Sequence, residues 1–541
     1  MIGFRQYLKG EVDQFNAQKV PIEDGDLSKD RIEHNIWYPP GPLYVLYPFV
    51  KLGLSPDIAA RWMVFLGFLL GGCGFLALAR NLGFQHSTLL AFALVLSLST
   101  ISRDGLGIIT PTSADNIGFA IFPWLSLWTL RLLKSINSES KVGTVILPFL
   151  GLGFATGGLF IVKYSWFVAG ASLAFFLGIG LFLFVRKLSF GRRMALMGTY
   201  SLCFFVPFLW LNHHNSKVSG VNALDYNESG SLGDNAFIEM VYGPNFSSTA
   251  RPQELPFSLA AGPGFLLGGN LLATRFVHFL RQDKGFTHFF QKKLGTNAHV
   301  WALILICMPF TVLGFILLGS HLHLLESYNM AFLFILTFLP LLLLGYLSLK
   351  SGFNYIVKDN YRYVIPYSLL SQVLLLNFCI NRKPGIGFHF KKLLTAGALF
   401  WACIFPGAWA LHAEFQNIKE NSITSLSVPF KQLQELSDVD QSSIVFFLNG
   451  HGPRRLGIMP RERHFSFLLN EESTRGDRFR TTKPITVLVA VESNLDSNSQ
   501  VVQEFLKRFP VPGWSSRKAE ESLYPNIFIG YMNPAEEIDS N

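Results

Sequence analysis

The chain has 541 residues, of which 50% are hydrophobic and only 15% are charged, whereas soluble domains carry about 25% charged residues. Together with a mean hydropathy of +0.33, this composition excludes an ordinary soluble protein. The net charge of +9 does not indicate a nucleic-acid partner, because the basic residues lie between apolar blocks and form no stripe interleaved with aromatic side chains. The composition therefore predicts a polytopic α-helical membrane protein.

The N-terminal region is polar and then turns abruptly aromatic and proline-rich. Residues 1–40 hold 5 cations and 7 carboxylates, a net charge of −2. The segment Trp37-Tyr38-Pro39-Pro40-Gly41-Pro42 leads into an amphipathic stretch that ends near Leu54. Proline preorganises the backbone, and Trp and Tyr favour the headgroup layer. The pattern predicts a short helix at the bilayer surface. The simpler interpretation is that this segment is an interfacial anchor with no role in binding or catalysis.

About ten apolar blocks follow, each near the length that crosses ~30 Å of hydrocarbon. Backbone polar groups cannot stay unpaired in lipid, so these blocks are predicted to be helices. They lie at residues 62–80, 87–102, 117–133, 143–162, 164–185, 195–211, 301–319, 329–348, 363–380 and 394–412.

Basic residues in the short loops predict the orientation, because such residues favour the cytoplasm. One set of alternate loops carries Arg80, Arg131, Lys134, Lys141, Arg186, Lys187, Arg192, Arg193, Arg382, Lys383, Lys391 and Lys392. The opposite short loops carry only Arg103, Lys163, Lys350, Lys358 and Arg362. We therefore expect a multi-pass protein of the cell (inner) membrane with the first set of loops in the cytoplasm.

This orientation gives three expected regions. Residues 1–61 form an outer loop and interfacial segment, residues 62–412 form the transmembrane domain with an outer loop at 212–300, and residues 413–541 form a small extracytoplasmic α/β domain. The apolar stretch Leu255–Thr274 is predicted to be interfacial or re-entrant, because its Gly and Pro content weakens a helix. In the tail, strands are predicted at 443–448, 485–491 and 526–531, and a helix at 500–508.

Ionisable residues recur at the predicted outer ends of the spans. The loop that opens the third span contains Arg103, Asp104 and Asp115, which are candidates to bind a phosphate or a divalent cation. Lys163 lies between two spans joined by almost no loop, and Arg362 begins the ninth span. Cations at this depth could hold a lipid-linked phosphate. Solvated loop charge and a snorkelling lysine are the simpler alternatives.

The order of these motifs resembles the GT-C superfamily of polyprenyl-phosphate-sugar-dependent glycosyltransferases, which includes protein O-mannosyltransferases and lipid A aminoarabinose transferases. The resemblance covers roughly residues 36–412. It rests on Tyr38-Pro39-Pro40-Gly41 with Ala60-Arg61, on Gly158–Tyr164 (GLFIVKY), on Pro263-Gly264-Phe265 with Asn270 and Arg275-Phe276, and on Arg362-Tyr363-Val364-Ile365-Pro366.

The resemblance implies an inverting sugar transfer from a polyprenyl phosphate at the outer membrane face to a glycan, lipid or protein acceptor, with no nucleic acid involved. An outer-loop aspartate would act as general base, with Asp13 ranked first and Asp24 next, while Asp26 is a further alternative. Lys163, Arg275 and Arg362 would hold the phosphate. Asp104 and Asp115 would orient the acceptor or a divalent cation such as Mg²⁺ or Mn²⁺. Tyr38, Arg103 and Tyr363 complete the predicted substrate-binding residues.

One feature departs from that family, in which a membrane span directly precedes the first outer loop. No such span precedes Pro39 here, so we expect either a start codon upstream of Met1 or a shortened relative. Two other functions stay open. A catalytically inactive scaffold could keep the fold without the reaction, and a secondary transporter would be expected to show related repeats with broken helices.

Overall fold

The computed structural model describes, with short gaps, residues 17–54, 56–98, 114–138, 143–185, 188–219, 444–449, 464–468 and 478–534, and shorter pieces within 4–12, 328–343 and 366–373. The described residues form two compact units. One contains the described residues from 37 to 411 and is helical. The other combines those up to residue 36 with those from 412 onward.

Among the described residues up to 219, the helical unit has seven helices and one π-helical turn in succession. They are α1 Gly41–Lys51, α2 Pro56–Asn81, α3 His86–Leu98, α4 Ala114–Ser138, α5 Gly143–Val162, α6 Phe167–Ile179, the π turn Gly180–Phe184, and α7 Phe190–Ser219. The helix predicted after the double proline is α1, and each of the first six predicted spans coincides with a helix, which confirms a mostly helical chain.

Four helical segments in the described part of the chain are long and apolar enough to cross a membrane. They are Ile58–Asn81, Asp115–Ile136, Phe167–Phe184 and Phe190–His214, and the shorter Ile146–Val162 is also apolar. Leu147 and Leu202 leave 75% and 74% of their surface exposed, which suits side chains that face lipid. The predicted total of ten spans stays a prediction, since most of the last four blocks lies outside the described residues.

Glycines allow two pairs of helices to approach closely. A Cβ added at Gly67 of α2 would lie 2.6 Å from the Asn116 side chain of α4, and one added at Gly153 of α5 would lie 2.6 Å from the Tyr200 carbonyl oxygen of α7. The Thr156 and Tyr200 hydroxyls are hydrogen-bonded at 2.7 Å across the second pair. Small residues at such crossings are typical of membrane bundles, in which packing and interhelical hydrogen bonds replace hydrophobic association.

The second unit contains a five-stranded mixed sheet with the strand order β4-β3-β5-β7-β6. Its strands are β3 Ile444–Asn449, β4 His464–Leu468, β5 Ile485–Val491, β6 Ser515–Lys518 and β7 Asn526–Met532. β3 is parallel to β4 and β5, whereas β7 is antiparallel to β5 and β6. Helix α8, Gln500–Leu506, is capped by the Ser499 hydroxyl, which accepts a hydrogen bond from the Val502 N–H.

Both faces of this sheet are apolar. Ile444, Phe446 and Leu448 of β3 belong to a core that includes residues of α8, while Val445 and Phe447 belong to a second core with residues of β7. Central strands that are buried on both faces read as continuous hydrophobic runs, as the sequence of β5 does. The predicted α/β character of the tail is therefore confirmed, but β4 and β6 were missed.

The N-terminal residues contribute to this same unit. Strands β1 (Ala17–Val20) and β2 (Arg31–His34) form an antiparallel hairpin. Leu27, between them, is completely buried and belongs to the core that contains Phe446 and Phe505. The C-terminal domain expected at residues 413–541 thus includes chain from the opposite end of the sequence.

Candidate functional site

The C-terminal end of α5 places a lysine just before the start of α6. Lys163 directly follows the last residue of α5, and its N–H still donates to the Leu159 carbonyl oxygen at 3.1 Å. Its own carbonyl oxygen accepts a hydrogen bond from the Trp166 N–H at 3.0 Å, one residue before α6 begins. These two bonds fix the backbone on both sides of Lys163.

The Lys163 ammonium forms an ion pair with Asp115, in the first turn of α4. Its Nζ donates to Oδ2 at 2.7 Å, and the Lys163 and Asp115 side chains are only 11% and 10% exposed. Asp115 lies at a helix N-terminus and Lys163 follows a helix C-terminus, so each charge has the sign that the nearby helix dipole favours. Both residues were predicted to bind substrate, and the structure brings them together.

An aromatic wedge lies beside this ion pair. The Trp166 indole packs against Gly118 of α4 so closely that a Cβ added there would overlap the ring. The ring is 5% exposed, and its centroid is 6.1 Å from that of Phe122. Because Gly118 is three residues after Asp115, this contact joins the helix that carries the carboxylate to the connection that carries the ammonium.

Asn116 joins the same helix end to α2. Its Nδ2 donates to the Met63 carbonyl oxygen at 2.8 Å, and its side chain is fully buried. Its Oδ1 has no hydrogen-bond partner among the described residues. The bond to Met63 helps to fix the first turn of α4, where Asp115 is located.

The double-proline motif contacts the last turn of α5, just before Lys163. Gly41, directly after Pro39-Pro40, is buried at the start of α1, and a Cβ there would lie 2.5 Å from the Ile161 carbonyl oxygen. Ile161 is two residues before Lys163. The two sequence motifs, Tyr38–Gly41 and Gly158–Tyr164, therefore come together in space through Gly41 and the last turn of α5.

Only part of the predicted site can be located. Asp115 and Lys163 form the ion pair, whereas Asp13, Asp24, Tyr38, Arg103, Asp104, Arg275, Arg362 and Tyr363 lie outside the described residues. The sequence did not single out Asn116, Gly118 or Trp166. The very short connection between the two predicted spans at Lys163 could have drawn attention to the nearby Trp166. A glycine within an apolar helix gives no such indication of a close contact.

A divalent cation was predicted for Asp104 and Asp115. In the described part of the chain, no three His, Cys, Asp or Glu side chains form a group suited to hold a metal ion. The Asp115 carboxylate is already balanced by the Lys163 ammonium at 2.7 Å. The divalent cation stays a prediction, because Asp104 lies outside the described residues.

No protein-family model and no curated protein matches this chain. The crystal structure of ArnT from Cupriavidus metallidurans, bound to undecaprenyl phosphate, is similar to 98% of this chain over 92% of its own length, with 12% identity and a TM-score of 0.37. Those two values are too low to support an inference about this chain.

Proposed function

We propose that this chain is a membrane glycosyltransferase that transfers a sugar from a polyprenyl-phosphate donor to an acceptor at the extracytoplasmic face. The single observation that carries the proposal is the buried Lys163–Asp115 ion pair at 2.7 Å. It lies where two motifs of the resemblance meet, the double proline before Gly41 and the helix end Gly158–Tyr164.

The energetics of the ion pair favour a functional role. Ionisable groups in membrane helices are costly, and removing such groups from water often costs more than their attraction returns. A buried pair of this kind is therefore weak evidence for stability and stronger evidence for a ligand site. Lys163 is the cation that suits a departing lipid phosphate, since a charge-assisted hydrogen bond stabilises negative charge where it develops.

Asp115 has a positioning role in this proposal. The carboxylate holds the ammonium in place before the phosphate arrives, and the phosphate then competes with it for the ammonium protons. A general base must separately reach the acceptor hydroxyl, and we assign this task to Asp13 first and Asp24 second. Arg275 and Arg362 are proposed to complete the phosphate-binding set, with Tyr38, Arg103, Asp104 and Tyr363 around the substrates.

The proposal is tested with the full-length protein in lipid nanodiscs, supplied with polyprenyl-phosphate sugars and with glycan, lipid or protein acceptors. We expect transfer by the unaltered protein and a loss of at least about 100-fold, the range for one electrostatic contact to a transition state, in Lys163→Ala and Arg362→Ala. Asp13→Asn should cause a loss at least as large. Arg80→Ala, which removes an exposed cation at the other end of a span, is the matched control and should keep full activity.

The outcomes also separate the remaining alternatives. Full transfer by Lys163→Ala would disprove the phosphate role of this lysine. An inactive scaffold would bind the polyprenyl phosphate in a Lys163-dependent manner without transferring sugar. A secondary transporter would instead move a solute across the membrane of sealed proteoliposomes, with no sugar transfer to any acceptor.

A further inference from the structure

A short N-terminal segment, Gly25–Lys29, is hydrogen-bonded into the C-terminal domain. The Leu27 N–H donates to the Arg480 carbonyl oxygen at 2.9 Å, and the Arg480 N–H donates to the Gly25 carbonyl oxygen at 3.0 Å. Asp26 and Arg480 thereby form a parallel β-bridge. The segment extends the hydrogen bonding of the domain in the way that an added strand does.

A buried side chain strengthens this backbone contact. Leu27 is fully buried in the same core as Phe446, Phe479 and Phe505, which come from the C-terminal part of the chain. Removing such a side chain from a packed core leaves a cavity that its neighbours fill only partly. The apolar core of the domain is therefore completed by a residue from the other end of the sequence.

The polar contacts of the segment are specific as well. Asp26 is 1% exposed, and its Oδ1 accepts hydrogen bonds from the Ser28 N–H at 2.9 Å, from the Ser28 hydroxyl and from the Thr482 N–H at 3.3 Å. The Ser28 and Thr482 hydroxyls are 2.8 Å apart. Lys29 adds a longer contact, with its Nζ 3.8 Å from Asp26 Oδ2.

We propose that Gly25–Lys29 is a docking segment that the C-terminal domain needs for a complete core, and that the domain therefore finishes folding only when both chain ends are on the same side of the membrane. Hydrogen bonds of 2.9 Å and the burial of Leu27 cannot form across ~30 Å of hydrocarbon. Export of the N-terminal region would thus control the maturation of a domain that begins more than 400 residues later.

The docking segment also gives Asp26 a structural role. Its carboxylate is buried and accepts three hydrogen bonds inside the domain. Asp26 is therefore unsuited to act as the general base of a sugar transfer. Neither this conclusion nor the proposed docking depends on whether the chain is a glycosyltransferase.

The first test is a disulfide cross-link in the full-length protein within its native membrane. Ser28→Cys and Thr482→Cys are combined after the native cysteines are replaced, and a protease site is inserted between residues 223 and 300. After oxidation and cleavage, we expect the two fragments to stay joined on a non-reducing gel. Ser28→Cys with Ser516→Cys, a residue on the exposed strand β6, is the matched control and should release the fragments.

Two results of this test would overturn the proposal. One is release of the fragments by the Ser28–Thr482 cysteine pair to the same extent as by the control pair. The other is a cross-link that forms only between two copies, detected when Ser28→Cys and Thr482→Cys are expressed on differently tagged chains, because it would show that the segment docks onto a second copy.

The second test asks whether the domain needs the segment. Leu27→Asp should make the C-terminal domain sensitive to protease in the full-length protein, while Leu27→Met, which nearly conserves volume, should leave it protected. Protease resistance of the domain in Leu27→Asp would disprove the proposed dependence. Sugar transfer is not measured in either test, so a failure here is distinguishable from a failure of the proposed function.

Discussion

The indole of Trp166 is packed against the backbone of Gly118, and these two residues each lie three positions along the chain after a charged residue of the candidate site, Lys163 and Asp115 respectively. The backbone N–H of Trp166 donates to the carbonyl oxygen of Lys163, and Gly118 is about one helical turn after Asp115. Any side chain at position 118 would displace the ring. The distance between the ammonium and the carboxylate is thus set in part by an apolar contact.

Gly118→Ala should therefore weaken the site indirectly. Overpacking a core typically costs about 1–3 kcal/mol, and displacement of Trp166 would also shift the carbonyl oxygen and side chain of Lys163. We expect the rate of sugar transfer to decrease by more than the loss of folded protein explains. The transfer rate and the melting temperature are both measured in nanodiscs.

Gly72→Ala is the matched control for this substitution. Gly72 is also in a membrane helix, but a Cβ added there meets no atom within 4 Å. Alanine is a better helix former than glycine by about 1 kcal/mol, so this variant should melt at or above the temperature of the unaltered protein. A Gly118→Ala variant that behaves like Gly72→Ala would contradict the proposed role of the wedge.

The ion pair can be examined with a double-mutant cycle. Breaking a buried pair by removing one charge typically costs about 3–5 kcal/mol, whereas replacing both charges by neutral groups is often nearly neutral. We expect Lys163→Met and Asp115→Asn each to lower the melting temperature, and the double variant to regain most of the loss. If the losses of the two single variants simply add in the double variant, the two charges do not interact.

The same cycle separates stability from function. In the proposed reaction, Lys163 stabilises the departing phosphate, so the double variant should stay inactive even though its stability recovers. Recovery of sugar transfer together with stability would mean that the pair has only a structural role. Transfer rates and melting temperatures measured on the same three preparations decide between these outcomes.

Helix packing between α5 and α7 offers a comparison between neighbouring glycines. A Cβ at Gly157 would overlap the Phe204 carbonyl oxygen of α7, whereas one at Gly158 meets nothing within 4 Å. Gly157→Ala should destabilise the helical unit by about 1–3 kcal/mol, because a backbone oxygen cannot rotate away. Gly158→Ala should not, and equal melting temperatures for the two variants would contradict this packing.

The sequence predicted the fold well where a single physical signal controls the structure. Apolar blocks located α2 to α7, and the hydrophobic run Ile485–Val491 located β5 to the residue. It missed β4 and β6, because His464–Leu468 is short and Ser515–Lys518 is polar and exposed. Edge strands of this kind are stabilised by hydrogen bonds to a neighbour that the local sequence does not specify.

The site was predicted only in its charged members. Asp115 and Lys163 were selected because ionisable residues are rare in such segments, but their pairing depends on helix packing between distant parts of the chain. Gly118 and Trp166 contribute through the close packing of the indole against the glycine backbone, which no local sequence pattern indicates. The role of Asp26 was also hidden, since its partner Thr482 is more than 450 residues away.

The docking segment should make the C-terminal domain sensitive to acid. Burial raises the pKa of the Asp26 carboxyl, but hydrogen bonds from Ser28 and Thr482 outweigh this effect and hold the pKa below its usual value. A depressed pKa in the folded state contributes stability that is present above the unfolded pKa, near 3.9, and is lost as the pH falls through the folded pKa.

Asp26→Asn removes this titration and should lower the stability of the domain at pH 7, because asparagine cannot accept the same charge-assisted hydrogen bonds. Unfolding by urea is followed through energy transfer between dyes on Asn498→Cys and Ser516→Cys in the full-length protein. Below about pH 4, where the contribution of Asp26 is lost, the urea midpoint should fall more steeply with Asp26 than with asparagine at this position. If the urea midpoints of the two proteins change in parallel with pH, Asp26 does not control the acid response. If the two midpoints become equal at low pH, the response is due to the hydrogen bonds of Asp26 with Ser28 and Thr482.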